Sequence, residues 1–213
     1  MIIKVCGMAD PGNIQGLVEL GLVDWMGMIF FPPSRRYVPG FGHAPDSYRK
    51  WPIPRVGVFV NASAALIRST VHAYGLDKVQ LHGDESVGQV EEIRNGFEGE
   101  LIKVFRMGAD WSWEALELYL PHVDYFLFDT DGPSFGGTGH RFNWEILKEY
   151  TLDKPFLLSG GIGAEQVAEI LECYQSLPAM KGIDINSRFE KKAGWKDLKL
   201  IRKFALEIKS NAK

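Results

Sequence analysis

The stretch Tyr125-Phe126-Leu127-Phe128-Asp129 is a short apolar run that ends in a carboxylate. Similar runs recur from one end of the chain to the other, and each is apolar along most of its length. Runs of this kind are typical of β-strands that are buried on both faces. The predicted strands are Ile2–Cys6, Trp25–Phe30, Arg55–Val60, Lys78–Leu81, Leu101–Phe105, Tyr125–Asp129, Phe156–Ser159 and Gly182–Ile185.

Segments with apolar residues at helical spacing separate these strands. The first predicted helix starts at Asp10-Pro11, an N-cap followed by proline at the first helical position. Gly21 and Gly75 predict the ends of two helices. The second helix, near Pro45–Lys50, and the sixth, near Trp144–Tyr150, are predicted to be short.

Eight strand–helix repeats without a linker predict an α/β fold, a closed parallel (β/α)8 or TIM barrel, in a single domain covering residues 1–213. The alternative arrangement is an open, doubly wound sheet. The longest irregular stretch, Phe31–Ala44, follows the second strand. Barrels build their active sites from loops in that position, so this loop is predicted to border the site.

The composition of the 213-residue chain argues against several classes of function. A formal net charge of -3 gives no reason to expect a nucleic-acid partner. No segment approaches the roughly 18 apolar residues that would predict a membrane span, and Lys4 interrupts the N-terminal apolar run too early for a signal peptide. Cys6 and Cys173 lack metal-ligand spacing, so we expect reduced thiols in a cytoplasmic protein without a metal site.

Polar side chains follow many of the predicted strands, where a barrel places its functional residues. Burying such groups costs free energy unless they are paired, so each of them needs an explanation. The rule selects Cys6, the Arg35-Arg36 loop, Asn61, Gln80, His82, Arg106, Asp129, Ser159, Asp184 and Asn186.

Glycine-rich and small polar segments follow the last three predicted strands. They are Gly136-Gly137-Thr138-Gly139, Gly160-Gly161 and the end of Asp184-Ile185-Asn186-Ser187. Glycine allows backbone N–H groups to approach an anion closely, and a helix opening at Ala164 would add its positive end. The pattern predicts a phosphate site, and the alternative is that these glycines only make tight turns.

Cys6 ends its strand just before Gly7, which favours access to the barrel mouth over a purely structural role. Lys4 shares the parity of Cys6 and should face the same side. Its ammonium group would favour the thiolate, the form that can act as a base, or it would pair with a carboxylate inside the barrel such as Asp184.

Asp129 and Arg36 have two interpretations each. Asp129 ends an apolar strand, so it is a candidate general acid or, alternatively, a cap. Arg36 is either an exposed loop residue or a guanidinium group that binds a carboxylate through two hydrogen bonds.

The strand-end motifs span nearly the whole chain in a fixed order. They are Lys4-Val5-Cys6-Gly7-Met8, Pro33-Ser34-Arg35-Arg36-Tyr37-Val38, Val56-Gly57-Val58-Phe59-Val60-Asn61, Val79-Gln80-Leu81-His82-Gly83, Phe128-Asp129-Thr130, Phe142-Asn143-Trp144, Leu158-Ser159-Gly160-Gly161-Ile162 and Gly182-Ile183-Asp184-Ile185-Asn186-Ser187-Arg188-Phe189-Glu190. As a set they resemble the phosphoribosylanthranilate isomerase family of tryptophan biosynthesis. Two positions depart from the family pattern, since Met8 stands where many members have threonine and Asn143 where aspartate is common.

The resemblance implies an Amadori rearrangement of N-(5-phosphoribosyl)anthranilate without a cofactor. It implies Cys6 as general base, Asp129 as general acid, and Arg36 as the residue that binds the anthranilate carboxylate. It also implies a small-molecule phosphorylated substrate as the partner of a monomer or homodimer. Further substrate contacts are expected from Gln80, His82 and Asp184, and phosphate contacts from Gly137, Thr138, Gly139, Gly160, Gly161, Asn186 and Ser187.

Three other functions fit the sequence less well. A ribulose-phosphate epimerase should show metal-binding histidines and aspartates at its strand ends, whereas His82 is the only strand-end histidine predicted here. A histidine-pathway isomerase should end its first strand in aspartate, and here that residue is Cys6. A non-catalytic phosphosugar-binding module would not need both Cys6 and Asp129.

Overall fold

The computed structural model describes residues 1–108, 112–130 and 143–212, and its centre is a closed barrel of parallel strands in the order β1 to β8. This confirms the predicted barrel and excludes the open sheet. The strands are β1 (Ile2–Val5), β2 (Trp25–Ile29), β3 (Arg55–Phe59), β4 (Lys78–Leu81), β5 (Glu100–Met107), β6 (Tyr125–Thr130), β7 (Phe156–Leu158) and β8 (Met180–Ile185).

Helices of very different length cover the outside of the barrel. They are α1 (Pro11–Glu19), α2 (Asp46–Arg49), α3 (Ala64–Tyr74), α4 (Val87–Asn95), α5 (Glu114–Glu117), α6 (Val167–Ser176) and α7 (Leu198–Asn211). The predicted short sixth helix is a 3-10 helix, Trp144–Glu149. Asp10 caps α1 as predicted, accepting a hydrogen bond from the Asn13 N–H at 2.9 Å. Gly75 ends α3 in the left-handed region, at φ 61°.

A small antiparallel hairpin, absent from the predicted elements, follows β8. A 3-10 turn at Ser187–Phe189 leads into β9 (Glu190–Lys192), which pairs with β10 (Trp195–Lys196). The hairpin places Glu190 and Lys196 beside the carboxyl end of the barrel. Among the described residues, no helix is long and apolar enough to cross a membrane.

The barrel interior is apolar toward the amino ends of the strands and charged toward the carboxyl ends. The apolar part is one buried cluster of Trp25, Val56, Ile102, Val104, Leu127 and Leu157. Above it, β1 and β8 are in register with Lys4 opposite Asp184. The change from an apolar to a charged interior therefore marks the end of the barrel where a site can form.

Gly27 on β2 leaves space for the side chains of Lys4 and Cys6 in the charged part of the barrel interior. A Cβ atom at this position would lie 2.9 Å from Cys6 Sγ and 3.0 Å from Lys4 Nζ, closer than side chains tolerate. A glycine therefore allows the thiol and the ammonium group to share the space beside β2.

Candidate active site

Cys6 lies at the floor of the barrel mouth above a buried ion pair. Lys4 Nζ donates to Asp184 Oδ2 at 2.8 Å, and the Lys4 side chain is fully buried. Burial lowers the pKa of Lys4, but the charges of Asp184 and Cys6 outweigh burial and raise it. Lys4 is thus held as an ammonium group in contact with both neighbours. It pairs with Asp184 and also lowers the pKa of Cys6.

Opposing effects act on the pKa of the Cys6 thiol, and Lys4 is one of the groups that lower it, as expected from the sequence. Burial raises its pKa, and this effect outweighs the nearby ammonium groups of Lys4 and Lys196, which lower it. The negative charge of Asp184 raises it further. The free protein therefore holds Cys6 as a neutral thiol at neutral pH.

Asp129, at the end of β6, belongs to a chain of hydrogen bonds that starts at β4. Gln80 Nε2 lies 3.0 Å from His82 Nδ1, and His82 Nε2 lies 3.2 Å from Asp129 Oδ2. Because an amide NH2 group can only donate, His82 Nδ1 is the acceptor and its Nε2–H donates to Asp129. Asp129 Oδ1 accepts the N–H of Thr130 at 2.8 Å. The carboxyl group is therefore fixed from two sides.

Asp184 connects the two halves of this mouth electrostatically. Its pKa is raised by burial, against the lowering effect of Lys4, and the charge of Asp129 raises it further. Asp184 also acts on the Cys6 thiol. The predicted base, acid and substrate-binding residues of β1, β4, β6 and β8 thus lie around one mouth.

Arg36 reaches the same mouth from the loop after β2, where it is held by a partner that the sequence analysis did not select. Its Nε and Nη2 donate to the Glu190 carboxylate at 2.9 and 2.7 Å. The side chain lies against Gly7, since a Cβ atom at Gly7 would meet Arg36 Cδ at 2.7 Å. Gly7 has φ 73°, so glycine is favoured there by both conformation and space.

Two of the predicted phosphate-binding segments follow the adjacent strands β7 and β8. Gly160 and Gly161 have φ 89° and 66°, and Ser187 begins the 3-10 turn after β8. Asn186 is engaged already, because its side-chain and backbone oxygens accept hydrogen bonds from Lys196 Nζ at 2.7 and 3.1 Å. Gly137, Thr138 and Gly139, the remaining predicted phosphate ligands, lie outside the described residues.

The helix expected to open at Ala164 is arranged differently. A 3-10 turn, Ala164–Gln166, comes first and α6 starts at Val167. The Gly163 N–H donates to Gln166 Oε1 at 2.6 Å, which occupies one of the amides expected to face a phosphate. Arg188, another residue that was not selected, lies at this corner with Nη1 3.2 Å from the Gly161 oxygen and Nη2 2.7 Å from Glu165.

A second buried glutamate lies across the mouth, between the ends of β3, β4 and β5. Glu85 Oε1 accepts the N–H groups of Asn61 at 2.9 Å and Gly83 at 3.0 Å. Glu85 Oε2 accepts Lys103 Nζ at 2.8 Å, and Lys103 also donates to the Gly83 oxygen at 2.8 Å. This cluster fixes the loop that follows His82.

The sequence contained a signal for one of these clusters but not for the other. Lys103 interrupts the apolar run Leu101–Phe105, and a charge inside such a run needs a buried partner. Lys196 has no such context, because it sits on a hairpin strand that no periodicity predicted. Glu190 is the last residue of the motif that starts at Gly182, but the sequence analysis assigned it no role.

Comparison with known proteins extends over nearly the whole chain. The family model for N-(5'-phosphoribosyl)anthranilate (PRA) isomerase matches residues 3–207. The N-(5'-phosphoribosyl)anthranilate isomerase of Parabacteroides distasonis is 42% identical over 212 residues, which cover 98% of this chain and 93% of that protein. The enzyme of Phocaeicola vulgatus is 41% identical and covers 98% of both chains.

Solved structures agree with the barrel. The phosphoribosyl anthranilate isomerase of Thermus thermophilus superposes with a TM-score of 0.81 at 23% identity over 99% of both chains, which supports the fold. A second isomerase, at 26% identity and TM-score 0.75, was crystallised with reduced 1-(o-carboxyphenylamino)-1-deoxyribulose 5-phosphate and covers 99% of this chain and 100% of its own. Monomers generated from the dimeric enzyme of Thermotoga maritima match with the same identity, TM-score and coverage. By the family match and by its relatives, the chain belongs to the N-(5'-phosphoribosyl)anthranilate isomerase family.

Proposed function

We propose that this chain isomerises N-(5'-phosphoribosyl)anthranilate, with Asp129 as general acid and Cys6 as general base. The observation that supports this most directly is the arrangement of the two groups around Asp184, at the carboxyl end of a barrel of this family. An Amadori rearrangement needs two proton transfers on the sugar, and the mouth supplies one carboxyl group and one thiol for them.

The first step opens the ribose ring. Asp129, in its protonated form, donates its proton to the furanose oxygen while the C1–O bond breaks, and the nitrogen lone pair forms the C1=N bond of a protonated Schiff base. The hydrogen bonds from His82 and from the Thr130 N–H keep the carboxyl group in place for this transfer.

The second step removes the proton from C2. The Schiff base carries positive charge one bond away from C2, and this charge adds to those of Lys4 and Lys196 in favouring the Cys6 thiolate. The thiolate takes the C2 proton, and the C–H electrons form the C1=C2 bond of an enolamine while the nitrogen becomes neutral. The enolamine then tautomerises to 1-(2-carboxyphenylamino)-1-deoxyribulose 5-phosphate. Because Cys6 is a neutral thiol at rest, it first releases its proton to solvent, and the resulting thiolate then acts as the base.

The two ends of the substrate have matching partners at opposite sides of the mouth. We assign the anthranilate carboxylate to Arg36, whose Nη1 group has no hydrogen-bond partner among the described residues. The phosphate is assigned to the corner formed by Gly160, Gly161 and Ser187, together with Gly137, Thr138 and Gly139. Arg188 also lies at this corner, where it is paired with Glu165. Gln80 and His82 act on the substrate mainly through Asp129, and Asp184 through Lys4 and Cys6.

The first test is turnover by purified variants, followed as the loss of substrate fluorescence. Cys6→Ala and Asp129→Asn should each lower kcat by at least about 100-fold, because each removes one proton-transfer group. Cys173→Ala and Asp124→Asn are matched controls that keep wild-type turnover, since Cys173 lies on α6 and Asp124 precedes β6 at the opposite end of the barrel. Wild-type turnover by Cys6→Ala, with the fold intact by circular dichroism, would refute the assignment of the base.

We also propose an oligomeric state and a cellular location for the protein. Because the Thermotoga maritima relative is described as dimeric, a homodimer is expected here, and sedimentation equilibrium distinguishes it from a monomer. Both cysteines are free thiols, which is consistent with the reducing cytoplasm.

A further inference from the structure

Lys196 is a deeply buried cation that touches neither the substrate nor the reacting atoms in the proposed reaction. Its side chain has no exposed surface, and its Nζ donates to Asn186 Oδ1 at 2.7 Å, to Glu190 Oε1 at 2.8 Å and to the Asn186 backbone oxygen at 3.1 Å. A lysine ammonium group has three N–H donors, so all of them are occupied. Lys196 therefore has no donor left for a substrate and can act only through its neighbours.

The neighbour that matters is Glu190, because it holds Arg36. If Glu190 were bound by Arg36 alone, the pair would be neutral and would attract a substrate carboxylate only weakly. Lys196 adds a second cation, so that two cations and one anion leave a net positive charge facing the mouth. It also binds Glu190 Oε1, the same oxygen that accepts Arg36 Nε, and so helps to fix the carboxylate that orients the guanidinium group.

The backbone of Lys196 is anchored separately. The buried Asn13 side chain on α1 accepts the Lys196 N–H at 2.7 Å and donates to the Lys196 oxygen at 3.1 Å. This pair of hydrogen bonds positions β10 on the barrel without using the charge. Burial lowers the pKa of Lys196 to about 8, against the opposing effect of Glu190, so keeping this ammonium group in the interior has a cost. Such a cost is common where a charge serves a site.

We propose that Lys196 is a positioning residue that acts through Glu190 to hold Arg36, and its positive charge, ready for the carboxylate of the substrate. This inference rests on the proposed function, since it takes Arg36 as the carboxylate-binding group.

The test compares two inhibitors by isothermal titration calorimetry. One is reduced 1-(o-carboxyphenylamino)-1-deoxyribulose 5-phosphate, and the other is the same compound without the carboxyl group. In the wild type the carboxyl group should strengthen binding by roughly 10-fold or more, as expected for hydrogen bonds between charged groups. Arg36→Met defines the ratio of the two Kd values when this contact is lost.

Lys196→Met should reduce the ratio to within about 3-fold of the Arg36→Met value, and the double variant should reduce it no further, because both changes remove one coupled interaction. In turnover, Lys196→Met should raise KM, and kcat should fall as well, because Lys196 also lowers the pKa of the Cys6 thiol. Lys209→Met is the matched control, because its ion pair with Asp24 lies on the outer helix α7. It should keep the wild-type ratio.

A purely structural role for Lys196 would weaken both inhibitors equally, and an unchanged ratio in Lys196→Met would therefore overturn the proposal. If Lys196→Met does not fold, Asn13→Ala loosens the same lysine without removing its charge, and a wild-type ratio there would overturn the proposal instead. If the proposed function is wrong, the result is different: the two inhibitors should then bind the wild type with equal Kd.

Discussion

Two buried glutamates lie on opposite sides of the barrel mouth, and each is paired with a buried lysine. Glu85 is bound by Lys103 and by backbone N–H groups, so all its partners belong to the scaffold. Glu190 is bound by Lys196 and by Arg36, and Arg36 keeps a group without a partner in the described part of the chain. Both pairs combine a glutamate with a lysine, but only the second also binds an arginine, Arg36.

A buried ion pair therefore cannot be classified by its residues alone. A pair that binds only the backbone around it stabilises a loop, and the Glu85 cluster does this for the segment after His82. A pair that leaves donors open at the mouth presents charge to a substrate. Variants of the first pair should therefore lose stability, and variants of the second should lose substrate binding.

The largest expected effect is on stability, at the pair of Glu85 and Lys103. Lys103→Met leaves the Glu85 carboxylate buried without its cation, which should lower the free energy of unfolding by about 3 kcal/mol. Urea denaturation measures this change. Lys148→Met removes the exposed pair with Glu145 and should change stability by less than about 1 kcal/mol. Equal losses in the two variants would contradict a special role for the buried pair.

The next effect is on substrate binding, at the open pair. Arg36→Met should raise KM by roughly 10-fold or more, because hydrogen bonds to the anthranilate carboxylate are lost. Steady-state kinetics measure this, and stability should fall less than in Lys103→Met. Arg55→Met, which removes an arginine at the start of β3, should retain the wild-type KM. If Lys103→Met raised KM as much as Arg36→Met, the distinction between the two clusters would not hold.

The smallest effect is a pH dependence of stability at Glu190. Burial raises the pKa of Glu190, but hydrogen bonds and charge from Arg36 and Lys196 outweigh burial and leave it below the usual 4.5. A depressed pKa in the folded state stabilises the protein above pH 4.5, and this contribution is lost as the pH falls through the folded-state value.

Glu190→Gln lacks this titration. The difference in unfolding free energy between wild type and Glu190→Gln should therefore shrink as the pH falls from about 6 to about 3. Denaturant titrations at each pH measure the difference. The exposed Glu145→Gln serves as control and should show little pH-dependent change. A difference in unfolding free energy that grows on acidification would contradict the lowered pKa of Glu190 in the folded state.

The barrel was predictable because its signal is local and repeated. Each apolar run predicts one strand, and β4 matches its predicted bounds, while β5 and β8 begin before theirs and β5 also extends further. Strand ends also pointed to Cys6 and Asp129. Their assignment as base and acid came from the resemblance and remains a prediction.

The electrostatic environment of the site was not predictable in the same way. It depends on partners that are distant in sequence, such as Arg36 with Glu190, 154 positions apart. The raised pKa of Cys6 illustrates the limit, because the sequence showed a neighbouring lysine but not how completely the barrel removes water from the thiol. Lys196 was missed because its hairpin lies outside the strand–helix repeat.

The seam between β1 and β8 has a consequence for biosynthesis of the protein. Lys4 meets Asp184 across 180 positions of sequence, and the first strand of the barrel pairs with its last. Until the segment from β8 onward is in place, the thiol of Cys6 has Lys4 beside it but lacks Asp184 and Lys196, so its electrostatic environment is incomplete. Closure of so long a loop is among the slower contacts a chain can form. Assembly of the barrel and assembly of its chemistry are therefore completed by the same event, and a chain truncated before β8 would contain the thiol without the means to use it.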